Sequence, residues 1–200
     1  QAMFKNTGYT AMKTLNLEDK FNTSKVTNMA EMFYRTGFWL ITSLDLGDKF
    51  NTINVTDMSY MFFETGPVKL ETINLGTQFD TRNVINMSHM FHNIGNNTLK
   101  NLDLGDKFYT TNVTNMDKMF YGTHALLNLD LGPAFTKIAS QHESMFDGTT
   151  AKTTIYASEQ IYLDKNNFKL NTDADTTDTN SIINYTRGTI NPKYRTEWIK

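Results

Sequence analysis

Cysteine is absent from the 200 residues. Disulfides, thiolate nucleophiles and cysteine-bearing zinc sites are therefore excluded. The compartment stays open, because many exported bacterial proteins also avoid cysteine. No apolar run reaches the ~18 residues of a transmembrane helix. Gln1 to Thr10 do not form a signal peptide. Charge of one sign is also lacking: 19 basic residues stand against 21 acidic ones, a formal net charge of −2. Nothing in that balance supplies the basic field that neutralises phosphates, so nucleic acid is not an expected partner. What the chain does hold is core material, with 14 Phe and 11 Met. That content lies above a disordered composition.

An internal repeat organises this material. Leu15-Asn16-Leu17 is followed by Phe21, Val26, Met29 and Met32-Phe33. The series returns from Leu44, Ile73 and Leu102, a period of 29. A fifth copy starts at Leu129 and keeps Leu131, Phe135 and Met145-Phe146 but loses the Val and the first Met. Such decay is expected of a terminal repeat. Met3-Phe4 aligns with Met32-Phe33, so the chain begins inside a repeat and residue 1 reads as a cut.

Each start fits L-x-x-L-x-L, as in Ile41/Leu44/Leu46 and Leu99/Leu102/Leu104. Alternation over its last three residues predicts a short strand, and repetition predicts stacked parallel strands. Phe21 and its equivalents turn inward after the strand. Val26, Met29, Met32 and Phe33 lie at i, i+3, i+6 and i+7, which predicts one face of a short helix. Thr27, Thr56 and Thr114 are its candidate N-caps, with Gly37 and Gly66 at its C-terminus. The expected fold is thus α/β: a right-handed leucine-rich-repeat solenoid over residues 1–150, strands on one face and short helices on the other. Residues 151–200 are expected to form a C-terminal cap. Within it, Thr154–Tyr156 and Ile182–Thr186 read as strands, Ser158–Phe168 as a short helix and Asn171–Asn180 as an exposed loop.

The strings FNTSKVTNMAEMF (21–33), FNTINVTDMSYMF (50–62) and FYTTNVTNMDKMF (108–120) resemble the BspA-type leucine-rich repeats of bacterial surface proteins. They are similar to the 26-residue repeat of Gram-positive surface proteins and to the related mycoplasma lipoprotein repeat. The resemblance implies an exported, cell-wall or lipid-anchored protein with a role in adhesion or host interaction. It carries over no catalytic residue. Two departures stand out: the period is longer here, and Thr-Gly replaces the Gly-Cys often seen after Met-Phe.

Two columns of residues are candidate binding surfaces. Asn16, Asp45, Asn74, Asp103 and Asp130 occupy the position between the two strand leucines and point outward from the sheet. With Thr14, Ser43, Thr72, Asn101 and Asn128 beside them, and Asp48 and Asp106 just beyond, they form a polar, mildly acidic strip. It reads either as a ligand strip for a cationic or hydroxyl-rich partner, or for calcium, or as a solvated ladder spaced by Lys20, Lys49 and Lys107. The Asn/Asp alternation lowers like-charge repulsion between stacked strands, a structural reason for the same residues. If the strip is a binding face, replacing Asp45, Asp103 and Asp130 by Ala removes the ligand and barely moves the melting temperature. The second column is Tyr34, Phe63, His92 and Tyr121. Stacked aromatics there can meet a sugar ring or protein partner, but packing on the next coil is the favoured reading.

His89 and His92 lie at i, i+3, but no third ligand recurs at a fitting spacing, so no metal is expected. Asp173, Asp175 and Asp178 lack the Gly and distal Glu of a calcium loop. Thr23, Thr52, Thr81 and Thr110 read as hydroxyls that bond the turning backbone. No G-x-S-x-G, phosphate loop or H-E-x-x-H occurs. The expectation is a non-catalytic, cofactor-free binding module on the outside of a bacterial cell. Its partner would be a host or matrix protein or a glycan, with no membrane insertion in these residues. The alternative is a structural spacer that binds nothing itself.

Overall fold

The structure is a computed structural model that describes residues 2–18, 21–149 and 153–157, together with the backbone of strand 184–187. It is a parallel β-solenoid of about five turns. The strands are β1 (Thr14–Asn16), β2 (Ser43–Asp45), β3 (Thr72–Asn74), β4 (Asn101–Asp103), β5 (Asn128–Asp130), β6 (Thr154–Ala157) and β7 (Asn184–Arg187). All paired strands are parallel, and the register follows the sequence period: Leu15 lies opposite Leu44, and Leu44 opposite Ile73. Strands β6 and β7 continue the sheet beyond β5, with Leu129 opposite Ile155 and Ile155 opposite Tyr185. The expected helix Ser158–Phe168, the loop Asn171–Asn180 and the aspartates 173, 175 and 178 lie outside the described residues.

The face opposite the sheet departs from expectation. Among the described residues there is no α-helix. Overlapping turns run where the helix was expected. Met32, Tyr34 and Thr36 donate their N–H to the carbonyls of Met29, Glu31 and Phe33, at 3.1, 3.1 and 3.0 Å. Between them, Glu31, Phe33 and Arg35 donate sideways to Ser59, Met61 and Phe63 of the next coil, at 3.0, 2.8 and 2.8 Å. A helix closes its amides within itself. Here every second amide ties one coil to the next, which a run of about two turns favours because it is marginal as an isolated helix. Glu31 and Arg35 take positive φ, 58° and 53°, and Tyr60 and Glu64 repeat this one coil on, at 57° and 49°. Residues in that region interrupt a right-handed helix. The proposed caps have another job: Thr56 donates both its N–H (2.9 Å) and its hydroxyl (3.3 Å) to the Thr27 carbonyl of the preceding coil.

The residues read as core are core despite this change. Met29, Met58, Met87 and Met116 are buried, as are Phe33, Phe62, Phe91 and Phe120. The Phe rings following each Met form one stack from Phe4 to Phe146, with centroids 5.2 to 5.6 Å apart. Offset stacks of this kind add to what area burial alone supplies. A second line of bridges, Asn28 to Asp57 to Asn86 to Asn115 to Gln141, runs unbroken along the coil. The buried threonines hold successive coils together, as their hydroxyls suggested. Thr23, Thr52 and Thr81 donate to the carbonyls of Asn51, Asp80 and Tyr109 at 2.7, 2.8 and 2.6 Å.

Candidate functional site

Each residue of the predicted polar column closes the turn after its own strand. The side-chain oxygens of Asn16, Asp45, Asn74, Asp103 and Asp130 accept the N–H two residues on, at 2.8, 3.0, 3.0, 2.8 and 2.9 Å. Asn and Asp are suited to this because their short side chains mimic a backbone turn. The alternation does more than dilute charge: Asn74 Nδ2 donates to Asp45 Oδ1 at 3.0 Å. In the neighbouring column Asn128 Nδ2 donates to Asn101 Oδ1 at 2.7 Å. Exposure is uneven. Asn16 and Asn74 are exposed, Asp45 and Asp103 half-buried, and Asp130, opposite Tyr156, is only 1% exposed. The strip therefore does not extend to Asp130. Among the proposed spacers, Lys107 reaches across to the Thr77 carbonyl at 3.0 Å, and Lys20 is outside the described residues.

The face is interrupted at one place. Strands β1–β3 form one sheet and β4–β7 another. Most Cα pairs between β3 and β4 lie beyond 8 Å, whereas most between β2 and β3 lie within it. The bond that Leu46 N–H makes to the Asn74 carbonyl (3.0 Å), and Leu104 N–H to that of Asp130 (2.9 Å), has no counterpart from Leu75 N–H to β4. A Cβ added at Gly76 would lie 2.3 Å from the Gly47 carbonyl oxygen of the coil before it, but one added at Gly105 would meet nothing within 4 Å. The opening is a cleft of about 560 Å³. It is lined by Asn74 and Asp103 of the predicted column, by Asp48, Thr77, Asp106 and Lys107, and at its floor by the apolar side chains of Ile73, Leu75 and Phe79. That volume is in the range of ligand clefts, roughly 300 to 1,000 Å³, and so is the mix of an apolar floor with a few polar groups. Thr77 is held on one wall, donating its hydroxyl to Asp48 Oδ1 at 2.9 Å.

Sequence reasoning placed four of the cleft's residues in the polar strip, Asn74 and Asp103 in the column with Asp48 and Asp106 just beyond, but missed the cleft. A signal existed. Coils two and four read Gly47-Asp48-Lys49 and Gly105-Asp106-Lys107, while coil three reads Gly76-Thr77-Gln78.

The aromatic column packs coil on coil. Tyr34 stacks on Phe63 at 4.8 Å, Phe63 on His92 at 4.6 Å and His92 on Tyr121 at 4.6 Å, all half-buried. The His89 ring stacks on Tyr60 at 4.4 Å, and its Nδ1 faces His92 Nδ1 at 2.9 Å. Two nitrogens so placed share one proton, with one ring donating and the other accepting. Burial, then the adjacent His89, then Lys118 push the His92 ring down to about 4. His89 is lowered by burial and by Lys118, with Asp117 opposing. Among the described residues no group of three or more His, Asp or Glu is arranged to hold a metal ion.

A family model described as "Mycoplasma protein of unknown function, DUF285" matches residues 1–96 and, in a second alignment, 41–159. No curated protein and no solved structure matches the chain.

Proposed function

The chain belongs to this mycoplasma family of unknown function, and we propose that it is a non-catalytic binding module on the outside of the cell. It presents its polar sheet face to a host or matrix protein or a glycan. The observation that carries the reading is the cleft between β3 and β4, where the otherwise regular face opens over an apolar floor. A second reading, a spacer that binds nothing, draws support from the column itself, because each of its members spends an oxygen on its own turn. The BspA-like resemblance supports the surface location and the adhesin-like role.

The test is an array of extracellular-matrix proteins and glycans probed with the purified chain, with and without calcium. The expected result is saturable binding that the double change Asp48→Lys, Asp106→Lys weakens tenfold or more. Both side chains are exposed, but Asp48 Oδ1 accepts the Thr77 N–H and hydroxyl of the next coil, at 3.3 and 2.9 Å, so the thermal melt of the double variant is measured beside its binding to separate a lost contact from a lost fold. A blank array, or binding indifferent to these changes, favours the spacer.

A further inference from the structure

We propose that His89 and His92 form a surface site for Cu²⁺, held by their two Nδ1 atoms. The inference is independent of the binding-module reading and uses no residue of the sheet face. Coil three alone carries histidine at both positions. The equivalents of His89 in the other coils are Glu31, Tyr60 and Lys118, and those of His92 are Tyr34, Phe63 and Tyr121. The two Nδ1 atoms face each other at 2.9 Å. Two ring faces cannot approach so closely, so the rings, although only 16° from parallel, meet edge to edge.

The separation selects the ion. An imidazole nitrogen sits about 2.0 to 2.1 Å from a first-row divalent metal, so two at a right angle lie about 2.9 Å apart and two at a tetrahedral angle about 3.3 Å. The observed 2.9 Å is the spacing of the right angle, which tetragonal Cu²⁺ prefers and tetrahedral zinc does not. Cu²⁺ is also the divalent ion of the first row that nitrogen donors bind most tightly. The metal takes the place of the shared proton. As the lone pairs swing from facing each other to converging on it, the ring centroids, 5.1 Å apart, draw in by about half an ångström. Among the described residues no third His, Asp or Glu joins the pair. That excludes a closed zinc site of four protein ligands, but not an ion that completes its plane with water.

The surroundings hold the pair in place. The His89 N–H donates to the Asp117 carbonyl of the next coil at 2.8 Å, and the His92 N–H to the His89 carbonyl at 3.3 Å, so both backbones are tied. The His89 ring lies on Tyr60 at 4.4 Å, and the His92 ring between Phe63 and Tyr121 at 4.6 Å from each. Both histidines are half-buried. Burial above all, with Lys118 adding to it, holds both below the usual histidine value. At neutral pH they are therefore uncharged, the form that ligates a metal. Of the charged side chains beside them, Lys118 opposes a bound cation and Asp117 favours it.

The probe is the Cu²⁺ ion alone, titrated into the chain by calorimetry in a non-coordinating buffer at pH 7, with electron paramagnetic resonance on the equimolar mixture. Expected are saturation at one ion per chain and a spectrum in which two imidazole nitrogens couple to the copper. His89→Phe and His92→Phe each keep a ring in the stack. Each should weaken Cu²⁺ tenfold or more and leave at most one coupled imidazole. The double change His124→Gln, His142→Gln should alter neither affinity nor spectrum. Saturating Cu²⁺ should raise the melting temperature of the unmodified chain but not that of His92→Phe, because an ion that binds only the folded state stabilises it. Unchanged affinity in both Phe variants, or a spectrum without the imidazole pair, overturns the site and leaves an adventitious ion only. Loss of the two-imidazole spectrum in the His124, His142 variant overturns it equally. The spectrum of the unmodified chain and that last variant decide the matter even if a Phe variant fails to fold.

Discussion

Asp45 shows how one side chain on this face holds the fold. Its Oδ1 accepts the Gly47 N–H at 3.0 Å and the Asn74 amide at 3.0 Å. An alanine at Asp45, Asp103 or Asp130 should therefore lower the melting temperature, against the expectation that it barely moves. Each removal strips a turn of its acceptor, at about 0.5 to 1.5 kcal/mol. The cost should be largest at buried Asp130. Asp45→Asn keeps the turn acceptor and should be close to neutral, which denaturant midpoints of the three alanine variants and Asp45→Asn will decide. His92 supplies a second test at this scale. Its ring is pushed down to about 4 in the folded chain, from an ordinary value of 6.5. Between those pH values the unfolded chain binds a proton that the folded chain does not, so stability rises with pH across that window and is lost as pH falls through it. The groups around the ring act in the same sense, since His89 and Lys118 both oppose its charge and it is stacked between Phe63 and Tyr121. Urea midpoints measured from pH 7 down to 4 should decline, and His92→Phe should flatten the decline. An unchanged slope in that variant would show that groups other than His92, His89 and the carboxylates among them, set the acid limb.

At the scale of the element, the turn runs and the strands were unequally legible. The L-x-L alternation named each strand and its register, because a period of 2 has one structural reading when it recurs every 29 residues. The spacing of Val26, Met29, Met32 and Phe33 named the buried residues but not the backbone, because a chain of overlapping turns also brings every third or fourth side chain inward. What apolar spacing does not encode is where the amides go, and here half of them go to the next coil. The positive φ at Glu31, Tyr60, His89 and Lys118, from 53° to 58°, follows from that choice and leaves no mark in hydrophobicity. Lys118→Gly tests it. In an exposed helix interior that change costs about 1 kcal/mol. At φ 53° it should be neutral or stabilising, because glycine adopts that region freely. Thermal melts of the variant distinguish the two directly. The cleft was half legible: Asn74 and Asp103 were named as a face, but the missing ladder between them depends on how coils three and four splay, which no single repeat carries.

Across the whole molecule the divided sheet poses a question of cooperativity. The ladder of β1–β3 stops before β4, and a solenoid whose repeats touch only their neighbours is weakest at its poorest interface. Three features nonetheless cross that interface. The bridge Asn86 to Asn115 joins the turn runs, the Phe91 ring stacks on Phe120 at 5.6 Å, and Phe79 stacks on Phe108 at 6.3 Å. These lie in the core and on the far face, where most of the apolar area is buried, so they outweigh the few strand bonds absent from the near face. Unfolding should accordingly be a single transition, with equal calorimetric and van't Hoff enthalpies. Met87 belongs to coil three and is fully buried. Met87→Ala should lower stability by about 2 to 5 kcal/mol. If the core couples the two sheets, that variant should still melt in one step, because the loss is felt by both halves at once. If instead the van't Hoff enthalpy falls well below the calorimetric one, the cleft is a boundary between two units that melt separately.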